Sequence, residues 1–299
     1  MQTTKDIKRK VNPYFFLIIG VIATSFSAIF VKGSLNTGTP PLIIAFYRLA
    51  ITSTILIPYS IRFKKEEFNN ITKGDIGFSI VSGTFLALHF LTWISSFKYT
   101  STFGSLVLMS LQPIYVVIAS YFLFNERISL KAIIVGLIAI LGSVIIGLMA
   151  LTIGTEAIRG DILALLGGIF LAGYFLCGRR LRQKLSIFPY VSIVYGSCTI
   201  ILFIVGLAQR IAFYPYSFFN FLMFFALAIV CTIFGHTIFN WVLEYVSPTV
   251  VSISLLGEPI GSGLWAFIIF KERLSFWHFI GGGIIILGLY KFILELEKK

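Results

Sequence analysis

Apolar residues in this chain come in long, nearly continuous runs, separated by short clusters of Lys, Arg, Asn, Gly and Pro. A helix needs about 20 mostly apolar residues to cross the hydrocarbon core of a bilayer. Ten runs meet that requirement: 13–32, 41–61, 75–97, 101–124, 130–151, 160–179, 189–209, 218–242, 248–270 and 276–293. The joints carry ordinary turn chemistry, as in Gly38-Thr39-Pro40-Pro41, Asn69-Asn70 and Tyr214-Pro215-Tyr216. Connections as short as Lys98-Tyr99-Thr100 make consecutive helices antiparallel neighbours. The pattern predicts an all-α membrane protein of ten transmembrane helices.

The runs repeat. Tyr99-Thr100-Ser101, Gln112-Pro113-Ile114 and Phe124-Asn125-Glu126-Arg127 return as Tyr245-Val246-Ser247, Glu258-Pro259-Ile260 and Phe270-Lys271-Glu272-Arg273, at a constant offset of 146. Gly136 and Gly142 fall on Gly282 and Gly288 in the same register. This period is too long for a solenoid. It divides a single transmembrane domain (1–299) into repeat 1, about 13–151, and repeat 2, about 160–293. Five helices is an odd number, so the second copy enters the membrane from the opposite side. Inverted repeats of this kind rock against one another around a midplane site, the physical basis of alternating access.

Composition agrees with the pattern. The chain is 58% hydrophobic and 12% charged, with mean hydropathy +0.95, whereas soluble domains carry about 25% charged residues. The net charge of +12 suggests a polyanion partner only until the basic residues are located. With both termini cytoplasmic, 17 Lys and Arg fall on inner segments and 6 on outer ones, leaving Arg48 inside a run. That asymmetry follows the positive-inside rule and excludes a nucleic-acid partner as its cause. It predicts a multi-pass protein of the plasma (inner) membrane, as a monomer or homodimer. The run after Lys5, Lys8, Arg9 and Lys10 is too long for a signal peptide and reads as a retained first helix. Cys177, Cys198 and Cys231 lie in apolar runs without metal or disulfide spacing.

With these residues in view, the chain resembles the EamA-type members of the drug/metabolite transporter superfamily. The resembling segments are Lys98-Tyr99-Thr100-Ser101 leading to Gln112-Pro113 and Asn125-Glu126-Arg127, and Tyr245-Val246-Ser247 leading to Leu256-Gly257-Glu258-Pro259 and Lys271-Glu272-Arg273. Pro40-Pro41 before Tyr47-Arg48, and Ala172-Gly173-Tyr174 before Gly178-Arg179-Arg180, add to it. The resemblance implies ten helices in two inverted repeats and secondary transport of small metabolites at the plasma membrane, often export of amino acids. One departure matters: repeat 1 has Gln112 where repeat 2 has Glu258.

Polar residues deep in apolar runs are the candidates for chemistry, because an ionisable group at a helix centre costs roughly 2.5–3.5 kcal/mol to insert. Glu258 lies midway along the ninth run and is followed by Pro259, as Gln112 is by Pro113. Each proline removes a helical hydrogen bond, so both are expected helix breaks. Glu258 suits a substrate ammonium or a coupling proton; a structural acid bonded to a helix end is the alternative. Arg48 suits a substrate carboxylate or a pairing with Glu258; the alternative is an arginine snorkelling to headgroups or pinning a helix end. His89 with Trp93, and His236 with Asn240, are pairs four apart on equivalent helices, so both faces are expected to line one central cavity. The histidines suit proton relay or interhelical bonding. Tyr174 and Tyr195 are candidate aromatic walls, with packing as the alternative.

No phosphate loop, metal cluster or nucleophile motif appears in the sequence, so no cofactor is expected beyond a coupled proton. The expected partners are a small-molecule substrate and the bilayer. A secondary transporter is the leading reading. An intramembrane enzyme on a lipid-linked substrate, or a channel, is the rival; an enzyme needs polar residues clustered at one face, and here they are spread.

Overall fold

A computed structural model of the protein describes residues 12–148, 155–271 and 276–297. Among them are ten helices long and apolar enough to span a membrane: Pro13–Asn36, Pro41–Phe63, Lys73–Ser96, Gly104–Phe124, Leu130–Gly147, Thr155–Arg182, Ile187–Ala208, Phe218–Val242, Pro248–Ile269 and Phe276–Glu295. They are called spans 1 to 10 below. The architecture is all-α, in two inverted repeats of five spans. Span 6 is the longest departure from expectation. It begins at Thr155, and Glu156 and Arg159 pair one turn apart on its exposed first turns.

Local chemistry sets the starts. Asn12 accepts from the Tyr14 amide ahead of span 1, and Thr72 and Asp75 form a reciprocal capping box at span 3. Ser217 accepts from the Asn220 amide at the equivalent start of span 8. Four spans then depart from the α-helix near mid-membrane. Span 1 breaks at Phe26 between Pro13–Ser25 and Ser27–Asn36. Span 4 breaks between Thr102–Met109 and Gln112–Phe124. Span 9 passes through a 3₁₀ turn, Leu255–Gly257, before its second half starts at Glu258. Span 8 widens into a π-helix over Leu227–Thr237. Backbone groups freed at membrane depth are tolerated only where protein or a cavity surrounds them, so these breaks mark the interior.

Spans 1 to 4 and 6 to 9 share one apolar core. Spans 5 and 10 pack mainly on each other and hold a separate cluster around Ala139, Ile146, Ile285 and Phe292. Small residues allow that approach: Gly142 faces the Gly281 backbone, and Gly288 faces Ala139. The eight-span core therefore encloses the site, and the 5–10 pair flanks it.

Candidate functional site

The four broken spans meet at a narrow cavity of about 40 Å3, room for a few water molecules. Its walls come from spans 1 (Thr24, Ser27), 3 (His89, Trp93), 4 (Met109, Gln112, Pro113), 6 (Leu171), 8 (His236) and 9 (Ser252, Glu258, Pro259). Pro113 and Pro259 each sit in the first turn of a half-helix just after a break. There the missing N–H costs nothing. The break, not the proline alone, puts Gln112 and Glu258 at half-helix starts facing one cavity.

Each polar wall residue has a definite role in the bonding. Gln112 Oε1 accepts from the Ser252 hydroxyl at 2.5 Å, joining the two repeats, while its Nε2 has no partner. The Glu258 carboxylate lies in hydrogen-bonding reach of Thr24. His89 stacks on Trp93, with ring centroids 5.9 Å apart and 7° between planes. Its Nδ1 lies 3.0 Å from the Gly167 carbonyl, which can only accept, so that nitrogen carries the proton. Trp93 Nε1 and His236 Nδ1 are buried without a partner. The two histidine rings lie 6.3 Å apart across the cavity.

Three expected wall residues lie elsewhere. Asn240 donates to the His236 carbonyl at 2.7 Å and to the Tyr174 hydroxyl. Both bonds pull it out of the wall and into the packing beneath, so the expected His236–Asn240 face is not a cavity face. Tyr174 is fully buried there, and Tyr195 bonds Thr237 at 3.0 Å; both are packing residues. His236 lies in the last turn of the π-helix, and Asn240 in the α-helical turn Ile238–Val242 beyond it.

Arg48 corrects the expectation differently. It neither snorkels nor pins a helix end, being 0% exposed. Its Nε donates to Thr232 at 2.7 Å and its Nη1 to Ser27 at 3.0 Å. The guanidinium lies 4.2 Å over the Phe90 ring, and its Nη2 has no partner. Because Ser27 lines the cavity, Arg48 stands one side chain behind the wall. It is not ion-paired with Glu258 but is near enough for their charges to interact.

Several participants escaped the sequence reading. Thr24, Ser25 and Ser27 form a polar patch inside span 1 that signals its break. Ser25 accepts from Trp265 Nε1 at 2.8 Å, and Phe26 stacks on the same indole at 4.0 Å, tying the break to span 9. Thr232 is equally hidden in sequence, a threonine in an apolar run.

The two ends differ. Toward Lys32, a second cavity of about 300 Å3 separates the end of span 1 from Phe97, Thr100 and Ser101, and shares Leu106 with the central one. At the opposite end, span 6 is fastened to the span 8–9 turn. Arg182 pairs with Glu244 at 2.6 Å, and Arg179 Nη1 donates to the Leu243 carbonyl at 2.7 Å. Gln183 donates to the same segment. Of the two Glu-Arg motifs, Glu126-Arg127 follows span 4, and Glu272-Arg273 lies outside the described residues.

Comparison with known proteins places this architecture. A profile of the EamA-like transporter family matches residues 12–148 and again 158–294. The chain belongs to that family. Its curated relatives include three uncharacterized transporters of Archaeoglobus fulgidus. They are 24% identical over 91% of this chain and 93% of theirs, 22% over 93% and 96%, and 27% over 84% and 87%. A solved crystal structure shares the fold with a TM-score of 0.75 at 16% identity, covering 96% of this chain and 98% of that one. The protein is thus a multi-pass membrane protein of a transporter family.

Proposed function

We propose that this EamA-like protein is a secondary carrier of an amino acid or closely related zwitterion, working by alternating access and exporting it across the plasma membrane. The observation that carries the mechanism is one polar, midplane cavity whose two ends differ: an open space on the Lys32 side and a fastened turn on the Arg182 side. A carrier must occupy such a one-sided state, since both ends open together would make a channel. The excess of Lys and Arg on the Arg182 side supports a cytoplasmic Arg182 and cytoplasmic termini, and on that reading the form described opens outward.

The substrate class rests on what the wall leaves unmatched. Trp93 Nε1 and Gln112 Nε2 are buried donors without acceptors, and a buried unpaired donor costs about 1–3 kcal/mol. A bound carboxylate relieves that cost. Glu258 is the acceptor for an ammonium on the same molecule, and His89, Trp93, Met109 and Leu171 supply the apolar walls. An enzyme would need these polar groups gathered around one reacting atom, whereas they line opposite walls.

Cysteine labelling tests this assignment. In a cysteine-free background, Trp93→Cys should react with a water-soluble maleimide added from outside, and a transported amino acid should block the reaction. Labelling unaffected by any of the standard amino acids would remove the substrate class.

A further inference from the structure

The closed end carries a set of bonds that its counterpart cannot copy. The offset of 146 runs without a gap through the helices concerned: spans 1 and 6 end at Asn36 and Arg182, and spans 3 and 8 at Ser96 and Val242. Each residue at one end therefore has an equivalent at the other. Inverted repeats reach the opposite state by exchanging their arrangements. The equivalents of the fastening residues are thus the groups that must meet when the Lys32 end shuts.

At the Arg182 end the bonding is dense. Arg182 is buried, pairs with Glu244 at 2.6 Å and donates from Nε to the Asn240 carbonyl at 3.1 Å. Arg179 donates to the Leu243, Glu244 and Val246 carbonyls at 2.7, 3.3 and 3.3 Å. Gln183 donates to the Leu243 and Glu244 carbonyls as well. The helices also approach closely here, since a Cβ on Gly178 would stand 2.9 Å from Leu243 Cδ1.

The positions 146 earlier are differently equipped. Arg179 is replaced by Gly33, which has no side chain to donate, and the pair of Arg182 and Glu244 by Asn36 and Lys98. Gln183 is replaced by Thr37, whose hydroxyl is taken up by the Ser34 carbonyl at 2.7 Å and by Asn220 at 2.9 Å. Gly178 is replaced by Lys32, and Leu243 by Phe97, so two bulky side chains stand where closure needs a close approach. A bond made in only one of two states biases the equilibrium toward that state.

We infer that Arg182–Glu244 and Arg179 form a one-sided lock, without a twin in repeat 1, which sets the empty protein to rest open at the Lys32 end. The lock presupposes the alternating-access carrier proposed above, yet labelling reads it without any transport.

Trp93→Cys in a cysteine-free protein is exposed to a membrane-impermeant maleimide in vesicles of both orientations. Lys184→Cys, exposed at the Arg182 end, reports which vesicles present that end. Trp93→Cys should label faster from the Lys32 side. Glu244→Gln should raise its labelling from the Arg182 side about tenfold, the equivalent of roughly 1.4 kcal/mol. Because that change strands a buried guanidinium, a second variant acts at the other end. Asn36→Arg with Lys98→Glu, both at exposed positions, installs the missing pair and should slow labelling from the Lys32 side about tenfold. Asn36→Arg alone, which adds a cation beside Lys98, should not. Equal labelling of Trp93→Cys from both sides would overturn the inference. So would unchanged labelling in the folded double variant, or an equal slowing by Asn36→Arg alone. A protein that shows the expected labelling but no counterflow would contradict the carrier instead.

Discussion

Gln112 and Glu258 hold equivalent places in the two repeats, each at the start of a half-helix and each followed by proline. The amide has been accommodated in one copy by bonding Ser252; the acid faces the cavity beside Thr24. The difference between them is charge, not shape. Glu258→Gln should therefore keep the melting temperature of the purified protein near that of the wild type. Transport should fall roughly 10- to 100-fold, the loss of one charge-assisted hydrogen bond of about 1.5–3 kcal/mol. Wild-type flux in that variant would remove Glu258 from the mechanism. These residues were legible because a polar side chain in an apolar run stands out. Arg48 stood out equally, yet its role was not legible. Which way it points depends on Ser27 and Thr232, residues of two other spans that sequence alone does not bring beside it.

At the scale of elements, the ten spans could be read from run length, and the breaks of spans 4 and 9 from their prolines. The break of span 1 and the π-helix of span 8 were not foreseen. The π-helix has a trace in the sequence all the same. His89 follows its helix-start residue Asp75 by fourteen positions, while His236 follows Asn220 by sixteen. The wide turns of Leu227–Thr237 absorb the extra length and let His236 face His89. Thr232 and Thr237 stabilise them by donating to carbonyls five residues back, at 3.0 and 3.1 Å. Thr232 also accepts from Arg48, so Thr232→Val keeps the shape but strands a buried guanidinium N–H. A denaturant titration in detergent should show a loss of about 2–3 kcal/mol in unfolding free energy. A loss within error would mean that Arg48 finds another partner.

For the whole molecule, the inverted arrangement gives every feature of one end a counterpart at the other, and the counterparts are not in the same state. Arg179 and Arg182 close one end against Leu243–Val246, while the Lys32 end stands apart from Phe97 and Thr100. The separation itself was not legible in the sequence, whereas the charge bias that orients the ends is plain there. Reporter fusions should accordingly read cytoplasmic at Lys64 and Lys184 and external at Thr155. A cytoplasmic Thr155 would undo the orientation and the outward opening together. The most direct test of the carrier itself is counterflow. Liposomes containing the protein are loaded with unlabelled amino acid and diluted into a trace of the same labelled compound. A carrier should draw label inward transiently above its equilibrium level, because each return of the cavity is coupled to exit of unlabelled molecules. Monotonic equilibration without an overshoot, or chemical conversion of the label, for every amino acid that protects Trp93→Cys, would contradict the account.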